Sequence, residues 1–576
     1  MAGASNSLPR RTLAQFRRPP GQALRTILGM LRDLVYMTPL YPLTLVGRTP
    51  KRLAVTLSDP WPGDIARGHA LLEGRYGFAG QTIGAGAEPL DSIWNPPGAS
   101  DAWRAELHGF NWLKDMLLAG GDDGRQRARE FVTSWIDHHQ RWERLAWRAD
   151  VTADRVSAWL GQFAPLTSGA GPEFQAKLLA SLARQHRHLA RLVPGELVGA
   201  GKIHAIRGLV TCEVLLSGGR RRLRRVSALL EGELNRYVLV DGGYIERSPS
   251  RQLSVLRDLV TIRSTLVAGR QTVPESLQIA IDRMAPMLRF FRHGDGGLAL
   301  FNGSNEEEAW LVDFVLTQAN ARGKPLASAP HSGFERINNS RTLIIVDVGA
   351  PSKPPLAGQN HAGTLSFEMS AGKHRLITNC GASAGSNPGW RHSLRTTAAH
   401  STLNLDDSSS SEIFDGGRFG DIIGRHPTRV ISDRQESDGA VWLDASHDGY
   451  ARPFGLLHRR RLYLSAGGDD LRGEDILTPT GHGGGQKGSG RKFAVRFHLH
   501  PEVKVSLVQD GSAALLNLPG GGWQLRSSGG WMGLEESIYL GVRGEVKRTQ
   551  QVVIRGEAAA GETHIKWSLS RLTDGA

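Results

Sequence analysis

The spacing of apolar residues changes once along this chain of 576 residues, and that change constrains the fold more than any other feature. From Trp103 onward apolar side chains recur at spacings of three and four, as in Leu107 and Phe110, which is typical of amphipathic helices. This spacing continues to Phe291. From Thr342 onward short alternating apolar runs are separated by Gly, Asp and Ser, which is typical of strands. The sequence therefore predicts a helical part followed by a strand-rich part.

A chain of this length is too long for one hydrophobic core, so each part is expected to be a domain. We predict an α+β multidomain fold with an N-terminal (α/α) toroid of residues 101–310, built from seven or more paired helices. A C-terminal antiparallel β-sandwich of residues 325–576 follows it. Residues 1–100 begin with basic residues and are rich in Pro, Gly and Trp further on, which predicts an N-terminal arm that wraps the helical domain.

The charge of the chain limits its partners. The formal net charge is +14 and the isoelectric point is near 10.0, and such a surface favours nucleic acid, acidic lipid or acidic polysaccharide. Nucleic acid has no further support, because the sequence contains no helix-turn-helix pattern and no aromatic-basic module. The two cysteines, Cys212 and Cys380, are too few for a disulfide framework or a cysteine-based zinc site.

The first residues are basic, but no uninterrupted apolar run with a small-residue cleavage site follows them, so we predict no secretory signal peptide. The apolar stretch 27–46 is interrupted by Arg32, Asp33 and two prolines, and it does not predict a transmembrane helix. Four arginines precede this stretch and fit a solvated tail better than a contact with a membrane or an acidic partner; they are Arg10, Arg11, Arg17 and Arg18.

Residues with chemical potential are concentrated between Gly358 and Asp407. Two histidines, His361 and His400, each begin a short apolar run typical of a strand, and a loop rich in Gly, Ser and Asn separates the two runs. Side chains at strand ends point into grooves on a rigid support, where binding and catalytic residues are common. The alternative is that both imidazoles only hydrogen-bond to the backbone of the sandwich.

Three motifs carry a resemblance to a known family. They are LSFE at 365–368, TAAHST at 397–402 and DGGYIERSPSRQL at 241–253. Together they resemble the heparinase II/III-like polysaccharide lyases, and the resemblance extends from about residue 100 to about residue 570.

The resemblance implies a bacterial lyase that cleaves an acidic, uronic-acid-containing polysaccharide by β-elimination in the cell envelope or periplasm. Because we predict no signal peptide, a cytoplasmic location with processing of intracellular saccharide precursors is the alternative. The resemblance implies catalytic roles for His204, Tyr244 and His361. It implies substrate binding by Arg247, Arg251 and Gln359. It also implies a divalent metal, zinc, held by His361 and His400. Aromatic residues of the helical part suit stacking against sugar rings, and we expect Asn111 and Trp112, in the HGFNWL segment, to lie nearest the glycan.

The sequence departs from the family pattern at several of these positions. Gln359 stands where the family has its first catalytic histidine, and Tyr244 replaces another histidine. β-Elimination needs a group that neutralises the substrate carboxylate and a base within about 3 Å of the C5 proton. We expect Tyr244 to be that base, with its pKa lowered by Arg247 and Arg251.

These departures leave two alternatives to a lyase. One is a glycan-binding or envelope-assembly protein that kept the scaffold after losing catalysis. The other is a glycoside hydrolase built on the same toroid. The three hypotheses differ in product, because a lyase forms an unsaturated uronate that absorbs ultraviolet light, a hydrolase forms only new reducing ends, and a binding protein forms neither.

Overall fold

The computed structural model describes residues 20–57, 59–84, 90–195, 197–217, 219–383, 388–414, 422–481 and 489–572. Helices dominate the first part of the chain. In order they are α1 Pro20–Met37, α2 Tyr41–Thr44, α3 Ile65–Leu72, α4 Asp101–Gly109, α5 Leu113–Ala119, α6 Gly121–His138, α7 Ala149–Gly161, α8 Phe163–Thr167, α9 Pro172–Leu192, α10 Gly199–Cys212, α11 Arg220–Tyr237, α12 Pro249–Ala268, α13 Glu275–Phe290 and α14 Ala309–Ala319. Two later helices are α15 Pro388–Arg395 and α16 Ala451–Phe454.

Strands dominate the second part of the chain. In order the strands are β1 Arg75–Phe78, β2 Gln81–Gly84, β3 Ser328–Ala329, β4 Phe334–Asn339, β5 Thr342–Asp347, β6 Phe367–Ala371, β7 His374–Thr378, β8 Leu403–Leu405, β9 Ile413–Phe414, β10 Ile422–Ile423, β11 Val430–Ser437, β12 Ala440–His447, β13 Leu456–Leu464, β14 Asp470–Pro479, β15 Lys492–Leu499, β16 Lys504–Val508, β17 Ala513–Leu518, β18 Gly521–Ser528, β19 Trp531–Tyr539, β20 Lys547–Glu557 and β21 Thr563–Arg571.

Local sequence signals fix the start of two important helices. At the start of α4 the Ser100 side chain accepts a hydrogen bond from the Trp103 amide. At the start of α12 the Ser248 side chain accepts one from the Arg251 amide, and Pro249 is the first helical residue. Both arrangements satisfy an amide that has no partner within its own helix. As a result, Arg251 lies in the first turn of α12.

The helical part is organised around α10, which packs against α7, α9, α11 and α12. Side chains from the predicted N-terminal arm join the same hydrophobic core; they include Tyr36, Tyr41, Trp61, Tyr76 and Phe78. The arm is therefore packed into the helical body. Closure of the helices into a toroid stays a prediction, and so do the predicted limits of the three parts.

The strands form two large antiparallel sheets. One has the order β11-β12-β13-β14-β21-β18-β17-β16, and the other has the order β19-β20-β15-β7-β6-β5-β4-β3, with β8 pairing with β15. The sheets share one core, in which the rings of Phe367 and Trp567 stack with centroids 5.6 Å apart. The α+β fold with helices first and antiparallel sheets second is confirmed.

Candidate functional site

A cleft of about 540 Å³ lies where the helical part meets the sheets. Its helical wall is formed by α7, α10 and α12, and its other wall is formed by the segments that precede β6 and β8 and by the turn after β19. An adjoining hollow of about 820 Å³ shares part of its lining with the cleft, so the two form one continuous depression. The shared residues include Asn111, Asp154, His204, Arg251 and Gln359.

His204, on α10, is held between two carboxylates at the floor of the cleft. Its Nε2 lies 2.9 Å from Oδ1 of Asp154, and its Nδ1 lies 3.0 Å from Oδ2 of Asp258. Because an ionised carboxylate only accepts hydrogen bonds, both ring nitrogens donate and the imidazole is protonated. Burial lowers the pKa of His204, but the attraction of Asp154 and Asp258 outweighs it and raises that pKa to about 10.

Arg207, one turn further along α10, completes this cluster. Its guanidinium lies 2.7 Å from Asp154 and 3.0 Å from Asp258. Two cations therefore share two carboxylates. The cations and the Asn111 side chain outweigh the effect of burial and hold the pKa of Asp154 well below its ordinary value. The four charged groups form a closed network in which His204 cannot accept a proton at neutral pH.

Positive charge dominates the lining of the cleft. The arginines that line it are Arg207, Arg251, Arg257, Arg391, Arg395 and Arg543, and the carboxylates are Asp154, Asp258 and Glu307. With protonated His204, the cations outnumber the anions. A low-dielectric cleft with an excess of one charge concentrates ligands of the opposite charge.

Arg257, on α12, differs from the paired cations of the cleft. Its guanidinium lies over the ring of Trp61, 4.8 Å from the ring centroid. Among the described residues it has no hydrogen-bond or ion-pair partner. Burial, and then repulsion from Arg207, lowers the pKa of Arg257. An anionic ligand in the cleft would supply the missing counter-charge.

His361 and His400 form a hydrogen-bonded pair at the sheet side of the cleft. Nδ1 of His400 lies 2.7 Å from the carbonyl oxygen of Thr396, which can only accept, so this nitrogen carries a proton. Burial lowers the pKa of His400 to about 4 and lowers that of His361 well below its ordinary value, so both rings are neutral. Nε2 of His400 therefore accepts from Nδ1 of His361 at 3.1 Å. Nε2 of His361 keeps its lone pair, and His361 lines the cleft.

These two histidines do not fit the predicted zinc site. Both ring nitrogens of His400 are used in hydrogen bonds, which leaves only Nε2 of His361 as a ligand atom. A protein zinc site normally needs three or four ligands. Within the described ranges, no group of three or more His, Cys, Asp or Glu side chains is placed to hold a metal ion.

Comparisons with known proteins identify the family. A family model described as heparinase II/III-like, C-terminal, matches residues 321–568. FtsZ-localized protein C of Caulobacter vibrioides is 32% identical over 532 residues, which is 91% of each chain. The chain belongs to the heparinase II/III-like family.

Solved structures of family enzymes share its fold. The crystal structure of heparinase III matches with a TM-score of 0.71 at 14% identity, over 96% of this chain and 92% of that chain. A mutant of heparan sulfate lyase HepC from Pedobacter heparinus matches with a TM-score of 0.61 at 15% identity, over 96% and 90%. At these identities the likeness establishes the fold alone.

The cleft contains some of the residues that the sequence predicted. Asn111, His204, Arg251, Gln359 and His361 all line it. His204 is nevertheless unsuited to the role of a base, because it is already protonated.

The sequence analysis predicted that Tyr244 is the catalytic base, but the structure does not place its hydroxyl on the cleft. The side chain is only 2% exposed and belongs to the helical core, and its hydroxyl is buried without a hydrogen-bond partner. Burial, reinforced by Glu246 and Glu233, raises the pKa of Tyr244 well above its ordinary value. The expected lowering by arginines does not occur, because desolvation dominates.

Two predicted substrate-binding residues are structural. Trp112 is 1% exposed, and its Nε1 donates to the Leu107 carbonyl inside the helical core. Arg247 is buried and donates to the carbonyls of Ser332 and Gly333 and to the carboxylate of Asp347. It therefore ties the segment before α12 to the first strands of the sheet.

The sequence analysis missed most of the charged residues of the cleft, and Asp154, Arg207, Arg257 and Asp258 on its helical wall are among them. For two of these four the sequence contains a pattern that could have identified them as cleft residues. Arg207 follows His204 by three positions, and Asp258 follows Arg251 by seven, so each pair shares a helix face. Asp154 lies on another helix, and nothing in its local sequence relates it to His204.

Proposed function

We propose that this chain is an acidic-glycan-binding protein whose ligand occupies the cleft. The observation that carries the proposal is the half-buried guanidinium of Arg257, which forms no ion pair within the described residues. A carboxylate or sulfate of the glycan would pair with it, and the exposed side chain of Arg251 would pair with a second acidic group. The family membership and the overall excess of basic residues support the same ligand class.

The cleft is less well equipped for catalysis than for binding. Tyr244 is buried away from it, His204 is protonated, and Gln359 has no basic group. Hydrolysis of a glycoside requires a pair of carboxyl groups with separate acid and base roles. Asp154 and Asp258 are both engaged by His204 and Arg207, which argues against that alternative.

One specific observation favours a second candidate function, β-elimination with His361 as the base. Its neutral ring presents an Nε2 lone pair on a cleft that also contains Arg257. The arginine would neutralise the substrate carboxylate, and the imidazole would remove the adjacent proton. Ultraviolet absorbance of an unsaturated uronate in a screen of acidic polysaccharides tests this candidate, and His361→Ala should abolish any such signal.

Binding is tested by calorimetric titration with glycosaminoglycans, alginate and bacterial exopolysaccharides. We expect at least one acidic glycan to bind and Arg257→Ala to weaken that binding about 10- to 100-fold, the usual cost of losing a charge-assisted contact. Arg224→Ala removes an exposed arginine of α11 that does not line the cleft, and it is the matched control. Absence of binding across the panel, or equal affinities of the two variants, would contradict the proposal.

We further propose that the chain works at the bacterial cell envelope, in the same place as FtsZ. The Caulobacter relative is named as FtsZ-localized, and it aligns with this chain over 91% of both sequences. Imaging of a fluorescent fusion together with FtsZ in the source cells tests this location. A fusion that stays evenly distributed in dividing cells would exclude it.

A further inference from the structure

The segment from α1 to the end of α2 has two faces of opposite character. Its inner face is formed by Tyr36, Tyr41 and Leu45, which are buried against the helical core. The Tyr41 hydroxyl lies 2.6 Å from Nδ1 of His188 on α9, and Arg191 donates to the Thr44 carbonyl at 2.6 Å. These contacts fix α2 on the protein body.

The outer face of the same segment is apolar and exposed to solvent. Its side chains are 42% to 70% exposed, and we name this set the apolar face: Met30, Leu31, Leu34, Val35, Met37, Leu40, Leu43 and Val46. Across the described residues, 20 large hydrophobic side chains are exposed, and eight of them lie in these 17 positions. Single exposed apolar residues are normal, but a concentration of this kind marks an interaction surface.

The charges within and beside this segment of the sequence are mostly positive. Residues 1–58 contain nine Lys and Arg but only one acidic residue, Asp33, and of these the structure describes the side chains of Arg32, Asp33, Arg48, Lys51 and Arg52. Asp33 is neutralised by Arg32 at 3.1 Å and lies 3.8 Å from Arg144. Further along, exposed basic residues follow the apolar face at Arg48, Lys51 and Arg52. Because the apolar face is bordered mainly by basic residues, a partner that covers it should be both apolar and negatively charged.

We propose that the apolar face docks on a lipid bilayer that contains anionic lipids. The aliphatic side chains would enter the boundary between headgroups and acyl chains, and the flanking arginines would contact lipid phosphates. In the part of the chain that the structure describes, no helix is long and apolar enough to cross a membrane, so α1 would lie in the plane of the interface. A second copy of this chain fits less well, because a symmetric contact would bring two basic rims together.

This docking adds a second binding surface to the proposed glycan cleft and does not depend on it. Because Tyr41 and Arg191 fix α2 on α9, the body of the protein would be held at a defined orientation on the membrane. A membrane-bound state would also bring the exposed residues Arg48, Lys51 and Arg52 next to anionic headgroups, where each adds to the affinity.

Co-sedimentation of the full chain with vesicles tests the proposal. We expect sedimentation with vesicles of phosphatidylcholine and phosphatidylglycerol in equal amounts, and weak sedimentation with phosphatidylcholine alone. The double variant Leu34→Asp with Val35→Asp should lower the partition coefficient about 100-fold or more, because two apolar contacts are replaced by charges that anionic lipid repels.

The matched control makes the same change in charge at a different exposed site. It combines Val240→Asp and Val267→Asp, whose native side chains are 68% and 62% exposed, and it should sediment as the native chain does. A second variant, Leu43→Asp with Val46→Asp, tests the α2 end of the face. Circular dichroism confirms that each variant is folded.

Three results would overturn the proposal. The first is a native chain that stays in the supernatant with anionic vesicles. The second is equal sedimentation of the apolar-face variants and the control. The third is a stable dimer of the native chain in analytical ultracentrifugation that the Leu34 and Val35 substitutions dissociate, because the face would then be covered by a second copy.

Discussion

Replacing His204 by Gln tests the charge network at the floor of the cleft. Glutamine keeps a similar length and can donate hydrogen bonds, but it carries no charge. In the variant, Asp154 and Asp258 would share only Arg207. Removing one partner from a partly buried ionic cluster leaves uncompensated charge, so we expect a less stable protein.

The magnitude follows from the pKa of His204. The pKa of this group rises from 6.5 to about 10 on folding. Each unit corresponds to roughly 1.4 kcal/mol, which sets an upper bound of roughly 5 kcal/mol on its contribution to stability. The side chain is 26% exposed, so solvent screening reduces the expected loss to roughly 3 kcal/mol.

The loss should depend on pH with a definite sign. Because the folded-state pKa is raised, the folded protein binds more protons than the unfolded chain between pH 6.5 and about 10. The contribution of His204 is fully present below pH 6.5 and disappears as the pH rises through about 10. The difference in unfolding free energy between the native chain and His204→Gln should therefore shrink across this window.

Denaturant unfolding of both chains at several pH values measures this difference. His331→Gln, which changes an exposed histidine outside the cleft, is the control and should leave stability unchanged at every pH. A loss below about 1 kcal/mol for His204→Gln, or a loss that does not vary between neutral and alkaline pH, would refute the proposed cation between two carboxylates.

Two further substitutions test residues that were predicted to belong to the site but are buried in the protein interior. Tyr244→Phe removes a buried hydroxyl without a partner, so unfolding free energy should stay within about 1 kcal/mol of the native value and any lyase activity should be unchanged. A loss of turnover of about 100-fold, which is about the effect of losing a general base, would show that Tyr244 does act in catalysis. Arg247→Met leaves the buried Asp347 without its cation, and we expect a loss of roughly 3 to 5 kcal/mol in chemical denaturation. A chain as stable as the native one would show that this ion pair contributes nothing.

The order of helices and sheets could be predicted from the sequence because periodicity reports local geometry. A helix that buries one face repeats apolar residues every three or four positions, and a strand alternates them. Ser248 and Pro249 likewise mark the start of α12 in the sequence itself. The family could be recognised for the same reason, since its motifs are short and contiguous.

The membership of the site was predicted only in part. Asn111, Arg251 and Gln359 were predicted to contact substrate, and all three line the cleft. Trp112 does not, because an aromatic residue next to a helix start has the same local pattern whether it faces a ligand or the core. Periodicity predicts that a side chain is buried or exposed on its own element, and it does not identify the neighbouring element.

What the sequence by itself determined is therefore the type and order of the elements, the basic character of the chain and the family. Only the tertiary structure decided the chemical state of each candidate. His204 is protonated because Asp154, 50 positions earlier, and Asp258, 54 positions later, meet it in space. The pKa of Tyr244 is raised because the helical core desolvates its hydroxyl. Charge pairing and desolvation depend on distances between residues that are remote in the chain, and no local pattern encodes those distances.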